Sequence, residues 1–415
     1  MANATRLPSE VLSHILQLSS EGLDSKEQQR ARITFGQVSR AFFIASDSAS
    51  FYIGSEAQAK AFMAKLIREQ KWVAHQQGRA PGARTTRAVS LGMRVSTVRK
   101  LDVKLSKKKS GGAVLVKLLL ACSELITLEV DIGDKLLDVP TTLPALEAAL
   151  VGLVNLRHLH LSGHEVFASV AIKVLSVVLP SLEILNLKGL DFSRIKVNGA
   201  LLQNISAPKL RVLHAHIPSS LILRIFGHTT SWAAAFVARL TAEGNLRELH
   251  LSNLEHDGVL GLLDDLLPIA PSLERLTWNS SLRGMLDEKA QTAAHKLLAA
   301  MTNLRHLEVS MWGIMAPEKA GPTEQEKKAV VTDCTLLVTL ATLQNLHTVK
   351  LNVIDDDVEA FDDSHVLPFI EALPSLRIIW LVKRARGVSD RSTGWARRGQ
   401  VLQAVEGGKA SVEWL

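Results

Sequence analysis

From residue 125 onward the chain repeats one figure: an apolar residue, then two more at +3 and +5. The copies are LITLEV from Leu125, LRHLHL from Leu156, LEILNL from Leu182, LRVLHA from Leu210 and LRELHL from Leu246. LERLTW from Leu273, LRHLEV from Leu304, LHTVKL from Leu346 and LRIIWL from Leu376 follow, and VRKLDV from Val98 is a weaker copy. In LRHLHL, Leu159 and Leu161 alternate with His158 and His160, which predicts a strand with one apolar and one polar face. Between copies, stretches such as VFASVAIKVLSVVLP and DEKAQTAAHKLLAAM carry apolar residues at helical spacing. Three copies are introduced alike, by LPS, APS and LPS before Leu182, Leu273 and Leu376.

One strand and one helix cannot bury both apolar faces, so the units must stack. Neighbouring strands sit about 4.8 Å apart, whereas packed helices need about 8–10 Å. A stack with unequal spacings bends with its strands inside. The expected fold is therefore α/β: a solenoid in horseshoe form, with parallel strands on the concave face and helices outside.

From Val98 to Val382 the pattern resembles leucine-rich repeats of the long, helix-bearing kind. That family usually places Asn or Cys three residues past the last strand leucine. Here the positions hold Gly133, His164, Leu190, Pro218, Ser281, Trp312 or Ile354. Without that amide ladder, less regular repeats are expected. The solenoid is assigned to 96–391 and a C-terminal capping segment to 392–415.

The apolar helix RLPSEVLSHILQL at residues 6–18 precedes the array and has no later counterpart. Pro8 suits a first helical turn, where its missing N–H is not needed, and Val11, Leu12, Ile15 and Leu16 share one face. Further on comes VSRAFFIA, residues 38–45. The order LPxEV…IL…VSRAF resembles an F-box, the helical module that docks on a Skp-type adaptor of cullin-RING ubiquitin ligases. The resemblance assigns adaptor contacts to Leu7, Pro8, Glu10, Val11, Ile15, Leu16, Val38, Ser39, Arg40 and Phe42. Phe42 stands where that family usually has Trp. It implies a small all-helical module over 1–54, joined to the solenoid by a helix and basic linker over 55–95. Together the two motifs resemble a degenerate, fungal-like F-box/leucine-rich repeat substrate receptor.

Composition narrows the classes. Two cysteines in 415 residues, Cys122 and Cys334, make no disulfide framework and fit a reducing compartment. Arg6, Glu10 and His14 interrupt the first apolar stretch, so no signal peptide is expected. Lys173 and Pro180 break the most apolar window, so no membrane span is expected. A soluble cytoplasmic or nuclear protein is the reading. The net charge of +7 is uneven: segment 79–109 holds ten Lys/Arg against Asp102, and 383–398 holds six against Asp390. No RNA-binding aromatic signature, zinc spacing or helix-turn-helix pattern accompanies them. They read as solvated loops rather than a nucleic-acid site.

Candidate chemistry lies on the outward strand positions, because strand side chains alternate. They run through Thr127, Glu129, His158, His160, Lys188, His214, His216, Glu248, His250, Arg275, His306, Glu308, Lys350 and Trp380. Substrate binding on the concave face is assigned to His158, His160, His214, His216, Glu248, His250, His306, Glu308 and Trp380. Each HxH pair would suit zinc, but no Cys or His nearby completes a tetrahedron, so no metal site is assigned. His164–Glu165 lacks the second His of a zincin helix. With no GxSxG, P-loop or GxGxxG, neither an enzyme nor a cofactor is expected. Ordinary histidine titrates near pH 6.5, so binding here is expected to change between about pH 6 and 7.5. The resemblance implies the substrate-recognition subunit of a Skp–cullin–F-box ligase, with Skp adaptor, cullin scaffold and a protein substrate as partners. The alternative is an F-box-independent repeat scaffold acting as inhibitor or GTPase activator.

Overall fold

The computed structural model describes residues 27, 30, 49–64, 68, 98–104, 110–131, 142–163, 175–190, 205–216, 232–252, 262–279, 288–310, 339–354, 372–384, 391–398 and 401–407. They fall in two compact units, Met1–Glu183 and Ile184–Leu415. The adaptor-contact residues assigned from the F-box resemblance, Leu7 to Phe42, lie outside the described residues, as do His164, Glu165 and Cys334.

The first unit carries four parallel strands in chain order: β1 (Ala49–Ile53), β2 (Val98–Lys104), β3 (Thr127–Asp131) and β4 (His158–Gly163). Its register stacks equivalent apolar positions, Leu101 on Leu128 on Leu159 and Val103 on Val130 on Leu161. A one-residue slip would turn those side chains into water, so burial of one face fixes the pairing. Helices α1 (Ser110–Ala121) and α2 (Thr142–Val151) pack against each other. They bury Leu115, Leu118 and Leu119, and Leu146, Ala149 and Leu150.

The second unit repeats the scheme through β5 (Ile184–Leu190), β6 (Val212–His216), β7 (Glu248–Ser252), β8 (Arg275–Asn279), β9 (His306–Ser310), β10 (Thr348–Ile354) and β11 (Ile378–Arg384), all parallel. Leu185, Leu213, Leu249, Leu276, Leu307, Val349 and Ile379 lie in one row. Helices α3 (Trp232–Thr241) and α4 (Glu288–Ala300) bury Phe236, Val237 and Leu240, and Ala294, Leu297 and Leu298. Both units are leucine-rich repeat solenoids, and the inward residues Leu159, Leu161, Leu185, Leu187, Leu249, Leu251, Leu276 and Leu307 are all buried. Among the described residues no helix is long and apolar enough to cross a membrane.

The apolar period also reaches upstream of each strand. Leu119, Cys122 and Leu125 are three apart and buried, as are Leu150, Leu153 and Leu156, and Leu298, Met301 and Leu304. Each bonds the carbonyl three residues back, as in Cys122 N–H to Leu119 and Leu125 N–H to Cys122. These tight turns bring the chain from helix to strand. At two of the links that contain Pro, the turn is a 3₁₀ helix, over Leu179–Ser181 and Leu267–Ser272.

Three expectations change. Residues 49–53, assigned to the end of an all-helical module, form β1, paired with β2 from Ser50↔Lys100 to Ile53↔Val103. The run Phe51-Tyr52-Ile53 favours a strand; Ile53 is buried, and Phe51 meets Phe62 with ring centroids 5.2 Å apart. At the other end the sheet turns antiparallel: β12 (Arg391–Arg398) pairs with β11, and β13 (Val401–Gly407) with β12. Only residues 399 and 400 separate these two strands, a connection long enough for a hairpin and too short for a crossover.

The third change concerns regularity. The strands keep one register although successive copies start 26 to 42 residues apart. Lateral hydrogen bonds come from the residue just before the leading leucine in five of the copies. Asn245, Asn303 and Asn345 donate Nδ2 to the carbonyls of Pro208, Thr302's counterpart Pro271, and Thr302 at 2.6, 2.7 and 2.9 Å. Ser272 and Ser375 donate to Leu246 and Leu346 at 2.8 and 2.9 Å. A side-chain ladder precedes these strands.

Candidate functional site

Opposite its helices each sheet presents a face of partly exposed side chains. In the first unit the register lines up Lys100, Thr127 and His158 in one row, and Asp102, Glu129 and His160 in the next. Lys100 Nζ meets Glu129 Oε1 at 2.7 Å, and Thr127 Oγ1 lies 3.2 Å from His158 Nδ1. Burial pushes the His158 pKa below the usual imidazole value; Glu183 opposes the shift and Lys100 adds to it.

The second unit has a longer face. One row runs Val212, Glu248, Arg275, His306, Thr348 and Ile378. The next runs Asn186, His214, His250, Thr277, Glu308, Lys350 and Trp380. Glu248 Oε2 lies 3.1 Å from Arg275 Nη1 and 3.8 Å from His250 Nε2. The contact with His250 holds the Glu248 carboxyl below its usual pKa; burial opposes this and Arg275 reinforces it. His214 and His250, opposite each other in the register, stack with centroids 3.9 Å apart and planes within 4°. Glu308 Oε1 meets Lys350 Nζ at 2.9 Å. The indole N–H of Trp380 is enclosed and meets no acceptor among the described residues.

Burial first, and then Arg275 and His347, lower the His306 pKa against an opposing pull from Glu248. His158 and His306 therefore stay neutral further into acid than an ordinary imidazole. For these two the titration expected between about pH 6 and 7.5 moves lower, because partial enclosure disfavours the charged ring.

The structure thus brings the expected outward residues onto open faces in two sets. Thr127, Glu129, His158 and His160 lie in the first unit; His214, Glu248, His250, Arg275, His306, Glu308, Lys350 and Trp380 lie in the second. Lys188 and His216 take strand positions on β5 and β6. Among the described residues no group of three His, Cys, Asp or Glu is placed to hold a metal ion. Cys122 is buried, and desolvation pushes its thiol up to about 12, which leaves little thiolate for chemistry. The face consists of side chains paired laterally, strand to strand. Such an arrangement presents a rigid polar surface.

No protein-family profile and no curated protein matches the chain. Among solved structures it is similar to the leucine-rich repeat-containing protein LegL7 of Legionella pneumophila, at 16% identity and a TM-score of 0.39 over 73% of this chain and 87% of that one. It is also similar to the complex of Rad7 and Elc1 in yeast, at 14% identity and a TM-score of 0.43 over 89% of this chain and 87% of that one. A third is the complex of TLR13 with ssRNA13, at 13% identity and a TM-score of 0.33 over 70% and 43%.

Proposed function

We propose that this protein is a non-enzymatic recognition scaffold, the substrate-binding subunit of a Skp–cullin–F-box type ubiquitin ligase. The observation that carries it is the order of parts: an LPSEV…VSRAF motif at residues 7–42 stands ahead of a repeat array with an open polar face. The apolar face of the first helix is covered by the Skp adaptor. A protein substrate lies on the outward rows around His158 and His160, and around Glu248, His250, His306, Glu308 and Trp380. Holding the substrate near a ubiquitin-loaded enzyme raises its effective concentration, so this chain supplies no catalytic residue and no cofactor. Repeat proteins use rigid sheet-backed surfaces of this kind for binding.

The test is co-purification of a Skp adaptor with a Leu7→Ala/Pro8→Ala variant. Adaptor binding is lost while the array keeps its melting temperature. Wild-type adaptor recovery by the double variant would contradict the assignment and favour a repeat scaffold working without an F-box, as an inhibitor or GTPase activator.

A further inference from the structure

The second unit carries a line of charge that belongs to neither strand face. The residue following each leading leucine begins the lateral ladder: Arg247 N–H donates to the Arg211 carbonyl, Glu274 to Arg247, Arg305 to Glu274, His347 to Arg305 and Arg377 to His347, at 2.8–2.9 Å. Six residues from successive repeats therefore form a single file along the leading edge of the sheet. Arg211, Arg247, Arg305 and Arg377 are exposed, while Glu274 and His347 are half-buried.

The file is not uniform. Glu274 takes up Arg247 at 2.6 Å and neutralises it. Beyond it Arg305, His347 and Arg377 follow one another immediately before β9, β10 and β11, and among the described residues no carboxylate pairs with them. Burial, and then Arg377 and Arg305 in turn, depress the His347 pKa, in keeping with the two neighbouring guanidiniums. His306 stands edge-on to His347 at 6.4 Å between centroids and brings no negative charge.

We propose that Arg305, His347 and Arg377 form a docking site for a short acidic segment of a protein partner, one with two or three clustered carboxylates. At about 4.8 Å per strand the three span about 10 Å, the reach of a few extended residues. Guanidinium groups grip carboxylates through paired N–H donors, which favours them at such a site. A nucleic-acid strand fits less well. Its phosphates recur without a gap and would meet Glu274. This inference deepens the proposed function by naming a substrate class, the acidic segment being the substrate's.

The experiment uses the full chain and a fluorescent ten-residue glutamate peptide, with a ten-residue glutamine peptide and a ten-nucleotide single-stranded DNA as the other probes. Arg305→Gln/Arg377→Gln keeps a polar hydrogen-bonding group at each position and removes both charges; it lowers glutamate-peptide affinity at least tenfold at low salt with no change in melting temperature. Lys117→Gln/Lys296→Gln, two exposed cations elsewhere, changes it less than twofold. Equal losses in the two double variants would reduce the effect to net charge and overturn the site. So would wild-type binding by the arginine variant, or DNA bound more tightly than peptide through the same two arginines. Leu7→Ala/Pro8→Ala binds the peptide normally, so failure of the adaptor assignment leaves this result standing, and the reverse.

Discussion

The open face and the leading edge of the second unit lie a few residues apart in each repeat, yet they handle charge in opposite ways. On the face, Glu248 meets Arg275 at 3.1 Å and Glu308 meets Lys350 at 2.9 Å. Along the edge, Arg305, His347 and Arg377 sit side by side with no acid between them. Partly enclosed charges require partners, because leaving one alone in a medium poorer than water is costly. Exposed guanidiniums do not, since water solvates them. Paired charge on the face therefore serves first to hold the array's shape, whereas unpaired charge at the edge adds nothing to folding. Loose charge is the better pointer to a partner.

Stability variants break this comparison in a defined order. Leu185→Ala, on the fully buried side, costs about 2–5 kcal/mol by emptying core volume. Glu308→Gln leaves the Lys350 ammonium half-enclosed and costs about 1–2 kcal/mol, between exposed and buried pairs. Asn303→Ala removes one lateral bond to Pro271 and costs about 1 kcal/mol. Arg305→Gln changes stability by less than about 0.5 kcal/mol. Urea unfolding of the four variants checks the series, and a cost for Arg305→Gln matching that of Glu308→Gln would erase the distinction between edge and face.

Acidity sharpens it further. The folded-state pKa of Glu248 lies below its unfolded value, so its contribution is present above the unfolded carboxylate pKa and lost as pH falls through the folded one. His306 is held neutral, so the unfolded chain takes up the proton first and stability falls as pH drops below the usual imidazole range. Unfolding free energy against pH therefore declines first over roughly pH 7 to 5 and again in the carboxylate range. His306→Gln flattens the first decline and Glu248→Gln the second. An unaltered profile in both would show that the face does not couple to protons as its contacts imply.

How much of this was legible beforehand depends on which physical period wrote it. The alternation Leu159-His160-Leu161 reports burial directly, so the core leucines, the parallel register and the outward rows could all be read from it. The leading-edge arginines stand in plain view as the LR of LRVLHA, LRELHL, LRHLEV and LRIIWL. They escaped notice because their position falls between the first and second apolar residues, where period-two alternation breaks. The Asn and Ser ladder lies before the strand, in the NL and SL pairs, where the period-two alternation gives no sign of it. The stacking of His214 on His250 depends on a pairing across 36 residues, which a period cannot disclose but the leucine register does. β1 was hidden because its strand-forming run FYI lies outside the repeat figure.

The central claim, that residues before the array recruit ligase machinery while the array selects substrate, is tested most directly by comparing partners. The measurement is affinity purification of the intact chain and of one lacking residues 1–47, a cut that spares β1 and its pairing with β2. The account predicts that a Skp adaptor and cullin accompany the intact chain and vanish on truncation, while other partners persist at equal yield. Adaptor and cullin retained by the truncated chain, or absent from both, would contradict it.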